Sequence, residues 1–416
     1  MLNPPVDVAL IGTGNRSQTI YKPLFDALKP WVRLVAVCDP VTEHAQAFGE
    51  SMNVPAFTSL QELVSARPME AAIVVTPIDS HHAISCYLSS HGIHNLVETT
   101  MSSLLVQAQE MVSTAENNNV IMRVAENFFR FPFDRIAKRI DETGFLGQVK
   151  RLTCYHDHLG YHNNSRWIVF FEGYPSSVRQ IEHSMATAPH YERAHRYHED
   201  ETFRARFLNF PDDRLVTDIA GNIKGMLGRY PRPGYTEIDG ARGTIVRQAV
   251  HSRPWYGEAE VRYTPDDALL NGGIADQIFP VVHVSEAGNW VSTYVDLPTG
   301  RVEYANPYRP THEEIRLREH YGRDFYGACV MSHIVDFARA IRGDAPSEYT
   351  AADALMAMMM EVGARESALR DGDLVHLPLD GELEAERQNR ESLSEKYGGV
   401  DPLDVDGMLA ISYPKP

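Results

Sequence analysis

The run Val6-Asp7-Val8-Ala9-Leu10-Ile11-Gly12-Thr13-Gly14 constrains the fold of this chain more than any other stretch. It is apolar up to Gly12 except at Asp7. A short, nearly continuous apolar run bounded by glycine reads as a strand buried on both faces. Gly12-Thr13-Gly14 then dictates a tight turn, and the residues after it predict a helix over Thr19 to Leu28. Strand, glycine-rich turn and helix start together make a phosphate cradle for a dinucleotide. Gly12 lets the chain turn, Gly14 leaves room for a pyrophosphate, and the helix start offers unpaired N–H groups. Ser17 stands where a third glycine often sits, so the pattern needs support from further along.

That support is the second apolar run, Val32 to Cys38, which ends at Asp39-Pro40. An acid at this place hydrogen-bonds the ribose hydroxyls and repels an added 2′-phosphate, which favours NAD while leaving NADP possible through Arg16. Alternation continues. Helices are expected at Glu43–Met52, Ser59–Ala66 (capped by Ser59), His81–His91 and Leu104–Asn117, with strands at Ala71–Val75, His94–Val97 and Val120–Ala125. Repeated strand–helix units predict an α/β doubly wound parallel sheet, with ligands at the carboxyl ends of its strands. Those ends carry Gly12 to Ser17, Asp39, Thr76-Pro77, Glu98-Thr99 and Glu126-Asn127.

A chain of 416 residues exceeds one simple core, so two domains are the default. Its formal net charge of −17 argues against a nucleic-acid or anionic membrane surface as partner. No apolar run is long enough to span a bilayer, and no signal segment precedes the first strand. Cys38, Cys86, Cys154 and Cys329 are scattered, as expected of reduced thiols in the cytoplasm.

Several ordered segments resemble the Gfo/Idh/MocA oxidoreductases. They are VALIGTGNRS, VCDP, VVTPIDSHHAISCYLSSHGIHNLVE, AENFFRFPFDRIAKRIDETGFLGQVKRL and SHIVDFARAIRGDAPSEYTAADALMAMMMEVGARESAL. The resemblance implies an NAD(P)-binding Rossmann domain over residues 1–128 and an α/β substrate and oligomerisation domain over 129–380. The second domain would carry an open, mostly antiparallel sheet, through which a homodimer or homotetramer would form. Residues 381–416 are a C-terminal extension, which could wrap a partner subunit. Residues 159–213, rich in His, Tyr, Arg and acids, read either as an insertion shaping the substrate pocket or as a solvated helical surface.

The resemblance also implies roles for single residues. Gly12, Gly14, Asn15 and Arg16 match the phosphate turn, and Asp39 the ribose acid. Thr76, Pro77 and His81 match a Thr-Pro-Asn-x-x-His stretch in which Ile78 replaces Asn. Glu98 matches the Glu of a Glu-Lys-Pro motif beside the nicotinamide ribose. Asn127 and Arg130 match the loop into the second domain, although His81 could equally start a helix and Arg130 could be an inter-domain ion pair.

Proton handling departs from the family pattern. The motif reads Glu98-Thr99-Thr100, without the lysine, and an Asp-x-x-x-His stretch becomes Asp218 with Asn222 in place of the histidine. Removing a hydride from a carbinol also requires a group to take the hydroxyl proton. Tyr155, His156, His158, Tyr161 and His162 are candidates, with Asp218 as a positioning acid and Thr99 as a relay. Three readings stay open. One is an oxidoreductase moving a hydride between nicotinamide and a hydroxyl or keto carbon of a sugar or polyol derivative. The second is a redox-neutral sugar-modifying enzyme with tightly held NAD, and the third a non-catalytic dinucleotide- and sugar-binding regulator. Arg166 could meet an acidic substrate group. His156 and His158 share a strand face, but no spacing matches a zinc signature, so no metal is expected.

Overall fold

The computed structural model describes residues 4–155, 160–192, 196–221, 234–250, 253–270, 277–309, 325–381 and 383–413. His156, His158 and Asn222 lie outside these residues.

Six strands form the first sheet: β1 (Val6–Ile11), β2 (Val32–Cys38), β3 (Ala56–Phe57), β4 (Ala71–Val74), β5 (His94–Val97) and β6 (Met122–Val124). They are all parallel, in the order β3-β2-β1-β4-β5-β6. Strand order reverses between β1 and β4, and there the carboxyl ends open a crevice. The connecting helices include Thr42–Met52, Leu60–Ala66, His81–Ser90 and Leu105–Asn117. Ser59 Oγ accepts the Glu62 N–H and caps its helix as the sequence predicts.

The expected helix Thr19–Leu28 is broken into three pieces: a π-helical turn at Ser17–Tyr21, a 3-10 turn at Lys22–Leu24 and an α-helical turn at Phe25–Leu28. Pro23 has no N–H to continue the ladder, which accounts for the change of pitch.

The second sheet has eleven strands: β7 (Val149–Tyr155), β8 (Ser177–Glu192), β9 (Arg196–Phe210), β10 (Arg214–Gly221), β11 (Tyr235–Gly240), β12 (Gly243–Val250), β13 (Arg253–Tyr263), β14 (Gln277–Glu286), β15 (Asn289–Leu297), β16 (Gly300–Ala305) and β17 (Val375–His376). Their order is β16-β15-β14-β13-β12-β11-β7-β10-β9-β8-β17. Only β7 and β10 pair in parallel; the other ladders are antiparallel. Helix Pro132–Glu142 packs on this sheet through Phe133, Ile136, Ala137 and Ile140, which recur at helical spacing and are buried.

Residues 159–213 are not a solvated helical surface. They hold helix Gly160–Phe171, buried at Trp167, Ile168, Phe170 and Phe171, and the long β8–β9 hairpin. β9 zips onto β10 from Arg214 to Gly221, so the hairpin is part of the sheet.

Two C-terminal helices return to the first domain or bridge to it. Helix Tyr326–Arg342 buries Val330, Ile334 and Phe337 in one cluster with Val6, Val8, Leu10 and Tyr21. Helix Ala351–Leu369 buries Met358, Met359 and Met360 in the other cluster, so the methionine run is core. The extension packs on its own chain. Helix Glu384–Lys396 follows the sheet, and helix Val405–Leu409 lies against helix His81–Ser90.

Candidate active site

The glycine-rich turn closes the carboxyl end of β1. Gly12 has φ +87°, and a Cβ there would lie 2.3 Å from the Val75 carbonyl oxygen. Only glycine fits that backbone. At Gly14 a Cβ would meet no atom within 4 Å. The space above Gly14 is thus open, as a pyrophosphate cradle requires. Ser17 Oγ donates to the Gly12 carbonyl and ties the turn to the helix start. Asn15 is exposed beside Gly14, and its carbonyl accepts the Thr19 hydroxyl at 2.8 Å.

Asp39, at the end of β2, is fixed by this turn. Its Oδ2 accepts the Thr13 N–H at 2.8 Å and the Thr13 hydroxyl at 3.1 Å, while Oδ1 accepts the Val41 N–H at 2.9 Å. Turn and acid are one hydrogen-bonded unit, which fixes the carboxylate at the carboxyl end of β2.

Glu98, at the end of β5, is buried. Its Oε1 accepts Arg16 Nε and the Tyr21 hydroxyl, each at 2.7 Å, and Oε2 accepts the Thr99 N–H at 3.0 Å. Burial pushes the Glu98 carboxyl up, but the Arg16 charge and the Tyr21 hydroxyl outweigh it and hold it at about 2. Arg16 also donates to the Tyr326 hydroxyl at 3.0 Å, so helix Tyr326–Arg342 closes this side. Below it lies His333, buried, with neither ring nitrogen hydrogen-bonded in the protein. Burial, Arg130 and Arg16 lower its pKa to about 3, so it is neutral.

The Thr99–Thr100 peptide is cis. Thr99 Oγ1 lies 3.5 Å from Glu98 Oε2. His81 is buried, with Nε2 at 3.0 Å from the Thr76 carbonyl and Nδ1 at 2.9 Å from the Thr100 carbonyl. It therefore clamps the loops after β4 and β5 together. Thr76 accepts the Ser80 hydroxyl at 2.8 Å, and Pro77 beside it is exposed.

The proton-handling candidates separate clearly. Asp218 on β10 is 2 % exposed. Its Oδ2 accepts Arg206 at 2.6 Å, and both its oxygens lie 3.3 Å from Asn163 Nδ2. Both oxygens of this carboxylate are thus met by neighbouring donors. Arg166 is also buried, bonded to Asp134 at 2.7 Å and to Asn163 at 3.2 Å, so it offers nothing to an acidic substrate. Arg130 is an inter-element ion pair with Asp336, at 3.0 Å, and with Glu348. Tyr155 ends β7, half-buried, opposite Ile219 and Tyr235.

His162 lies elsewhere. It sits in the first turn of helix Gly160–Phe171, with Nδ1 3.0 Å from Glu126 Oε2, and its ring is 4.5 Å from that of Phe128. Glu126 follows β6, is 1 % exposed, and also accepts the Asn127 N–H at 3.0 Å. Asn127 is buried behind it. The preceding residue, Tyr161, lies beside the Met101 backbone. The turn carrying Tyr161 and His162 thus reaches the carboxyl ends of β5 and β6. No motif spacing marked the Glu126–His162 pair, because the two residues come from separate domains. Tyr326 and His333 escaped the sequence for the same reason, and Tyr21 because its partner Glu98 is distant along the chain within the first domain.

Among the described residues one group of metal-type donors lies within 4.8 Å: His82, Cys86 and Glu110. His82 Nε2 already bonds Glu110 at 2.9 Å, and burial pushes the Cys86 thiol up to about 12. The trio is a contact between two helices.

Residues 6–126 match the model of an oxidoreductase family with an NAD-binding Rossmann fold. Over these residues the chain is similar to the Gfo/Idh/MocA oxidoreductases. A 2,7-anhydro-N-acetylneuraminate hydratase of Mediterraneibacter gnavus is 28% identical over 156 residues, 38% of this chain and 40% of that protein. A scyllo-inositol 2-dehydrogenase (NADP+) of Bacillus subtilis is 28% identical over 124 residues, 29% of this chain and 37% of that protein. The matched stretch thus spans under half the length of these relatives. A solved levoglucosan dehydrogenase, in complex with NADH and levoglucosan, superposes with a TM-score of 0.65 over 90% of this chain and all of that one, at 16% identity. At that identity the likeness shows a shared fold alone. No helix among the described residues is long and apolar enough to cross a membrane.

Proposed function

We propose that the chain is an NAD-preferring oxidoreductase acting on a hydroxyl or keto carbon of a sugar or polyol derivative, with His162 as the proton-handling residue. The carrying observation is the Glu126–His162 pair at the carboxyl end of β6, on the same edge of the sheet as the glycine-rich turn that ends β1. Gly12, Gly14, Asn15 and Arg16 would hold the pyrophosphate, Asp39 the adenosine ribose, and Thr76, Pro77, Glu98 and Asn127 the nicotinamide end. When bound, the nicotinamide supplies the acceptor for a hydride from the carbinol carbon.

His162 would take the hydroxyl proton, with Glu126 engaging Nδ1 and fixing the ring. Glu126 is itself fixed by the Asn127 N–H. Asp218, itself held by Arg206, accepts from Asn163, the next residue on the helix, and so would position His162 indirectly. The relatives named for inositol, levoglucosan and anhydro-neuraminate support a polyhydroxylated substrate. The relative named as a hydratase favours a second reading, a reaction on such a substrate with no net redox change.

His162→Asn tests the assignment. It removes the proton-exchanging atom but spares the cradle. Turnover is expected to fall about 100-fold or more, with the dissociation constant for NAD+ within about twofold of the parent. Unchanged turnover would remove His162 from the chemistry. Product formed without NADH accumulating would select the second reading.

A further inference from the structure

We infer that Asp79 is a positioning residue for the dinucleotide site and that the C-terminal extension is the strap that holds it in place. This rests on the dinucleotide reading above. Asp79 lies in the short turn Ile78–Ser80, between Thr76-Pro77 and His81, and is 9 % exposed. Its donors come from two other segments. Ser103 donates to Oδ1, while Lys396 Nζ and the Tyr397 hydroxyl reach Oδ2 at 2.6 and 2.7 Å.

Ser103 belongs to the loop after β5, which also carries Thr99 and Thr100. Asp79 therefore joins the loops after β4 and β5 on one side, and His81 joins them on the other through the Thr76 and Thr100 carbonyls. The extension supplies the third part of the joint. It is anchored independently of Asp79. Glu386 accepts the Leu105 N–H at 2.7 Å, the Pro402 carbonyl accepts Gln107 Nε2 at 2.8 Å, and Met408 is buried. The Tyr413 ring lies 5.3 Å from that of Tyr397, edge to face.

The charges fit this role. Burial would raise the Asp79 carboxyl, but Lys396, Ser103 and Tyr397 pull it below its ordinary value, so it is ionised. An unpaired carboxylate at this end of the sheet would oppose an anionic cofactor; Lys396 compensates it. Coupling of this kind is reciprocal: if the strap favours cofactor binding, the cofactor must tighten the strap by the same factor.

The test uses the full-length protein, its Asp79→Asn, Lys396→Met and Lys396→Arg variants, and NAD+ as ligand. Dissociation constants are read by calorimetry, and amide hydrogen exchange of residues 397–413 is read with and without NAD+. In the parent, NAD+ is expected to slow exchange in this segment. Asp79→Asn and Lys396→Met should weaken NAD+ binding about tenfold and abolish that slowing, and Lys396→Arg should retain both. A lower melting temperature with unchanged NAD+ affinity, or exchange in the segment indifferent to NAD+ while the parent binds it, would overturn the inference. A parent that binds no nicotinamide nucleotide would sink the dinucleotide reading, and the inference with it.

Discussion

At the scale of single residues, the two glycines of the cradle have different reasons to be glycine, and substitution should separate them. Alanine at Gly12 would drive a Cβ to 2.3 Å from the Val75 carbonyl at a φ of +87°. Gly12→Ala is expected to cost about 1–3 kcal/mol of stability, read as a fall in the urea midpoint. Gly14→Ala meets no protein atom, so stability should be unchanged while NAD+ binding weakens about tenfold. Equal effects at the two positions would contradict the geometry. Glu98 makes a second prediction. Its carboxyl stands at about 2 against an ordinary 4.5. A carboxyl lowered on folding contributes stability fully present above about pH 4.5 and lost as pH falls toward about 2. Thermal scans between pH 7 and 3 should show a shallower acid limb for Glu98→Gln. The turn, Asp39 and Glu98 were all legible in the sequence, because each sits at the end of a strand whose apolar pattern is local. The Glu126–His162 pair was not. It joins β6 to a helix of the other domain, and no spacing within one segment encodes that contact.

At the scale of elements, the seam between the domains is held by Arg130. It is 2 % exposed and binds Asp336, Glu348, the Ser332 hydroxyl and the Glu126 carbonyl. Removing Arg130 takes the guanidinium from Asp336, while Glu348 keeps Arg135, so Arg130→Met is expected to destabilise by about 3 kcal/mol in urea unfolding. A change below about 0.5 kcal/mol would show that the cluster is solvated in solution. The alternation of strand and helix predicted the parallel sheet closely, since both periods are written in short stretches. It failed where chain-distant packing decides. Pro23 breaks the first helix into three pitches, and residues 159–213 become a buried helix and a hairpin zipped onto β10. The hairpin is packed near its base, at Val178, Gln180, Arg206 and Leu208, and exposed on both faces further out, at Ile181 to Ser184, so no single period marks it.

At the scale of the whole molecule, helix Tyr326–Arg342 and the extension both return to the first domain. Gly12 to Arg16, Glu126 with His162, and Tyr326 come from the beginning, middle and end of the chain, and the fold brings them to the carboxyl ends of the first sheet's strands. Sequence order hides such contacts, so the sequence offered His162 as one of five proton-handling candidates without ranking them. The outer sheet exposes Ile278 on β14, 54 % accessible, and a homo-oligomer formed through this face is expected to appear as a multiple of 46.8 kDa in light scattering. The central claim is that the crevice takes a nicotinamide dinucleotide and prefers the form without a 2′-phosphate. Calorimetric titration of nucleotide-free protein tests it most directly. NAD+ is expected to bind at one site per chain, at least about tenfold more tightly than NADP+, with Asp39→Ser narrowing that gap. Absence of binding by either nucleotide, or a preference for NADP+ that Asp39→Ser leaves untouched, would contradict the account.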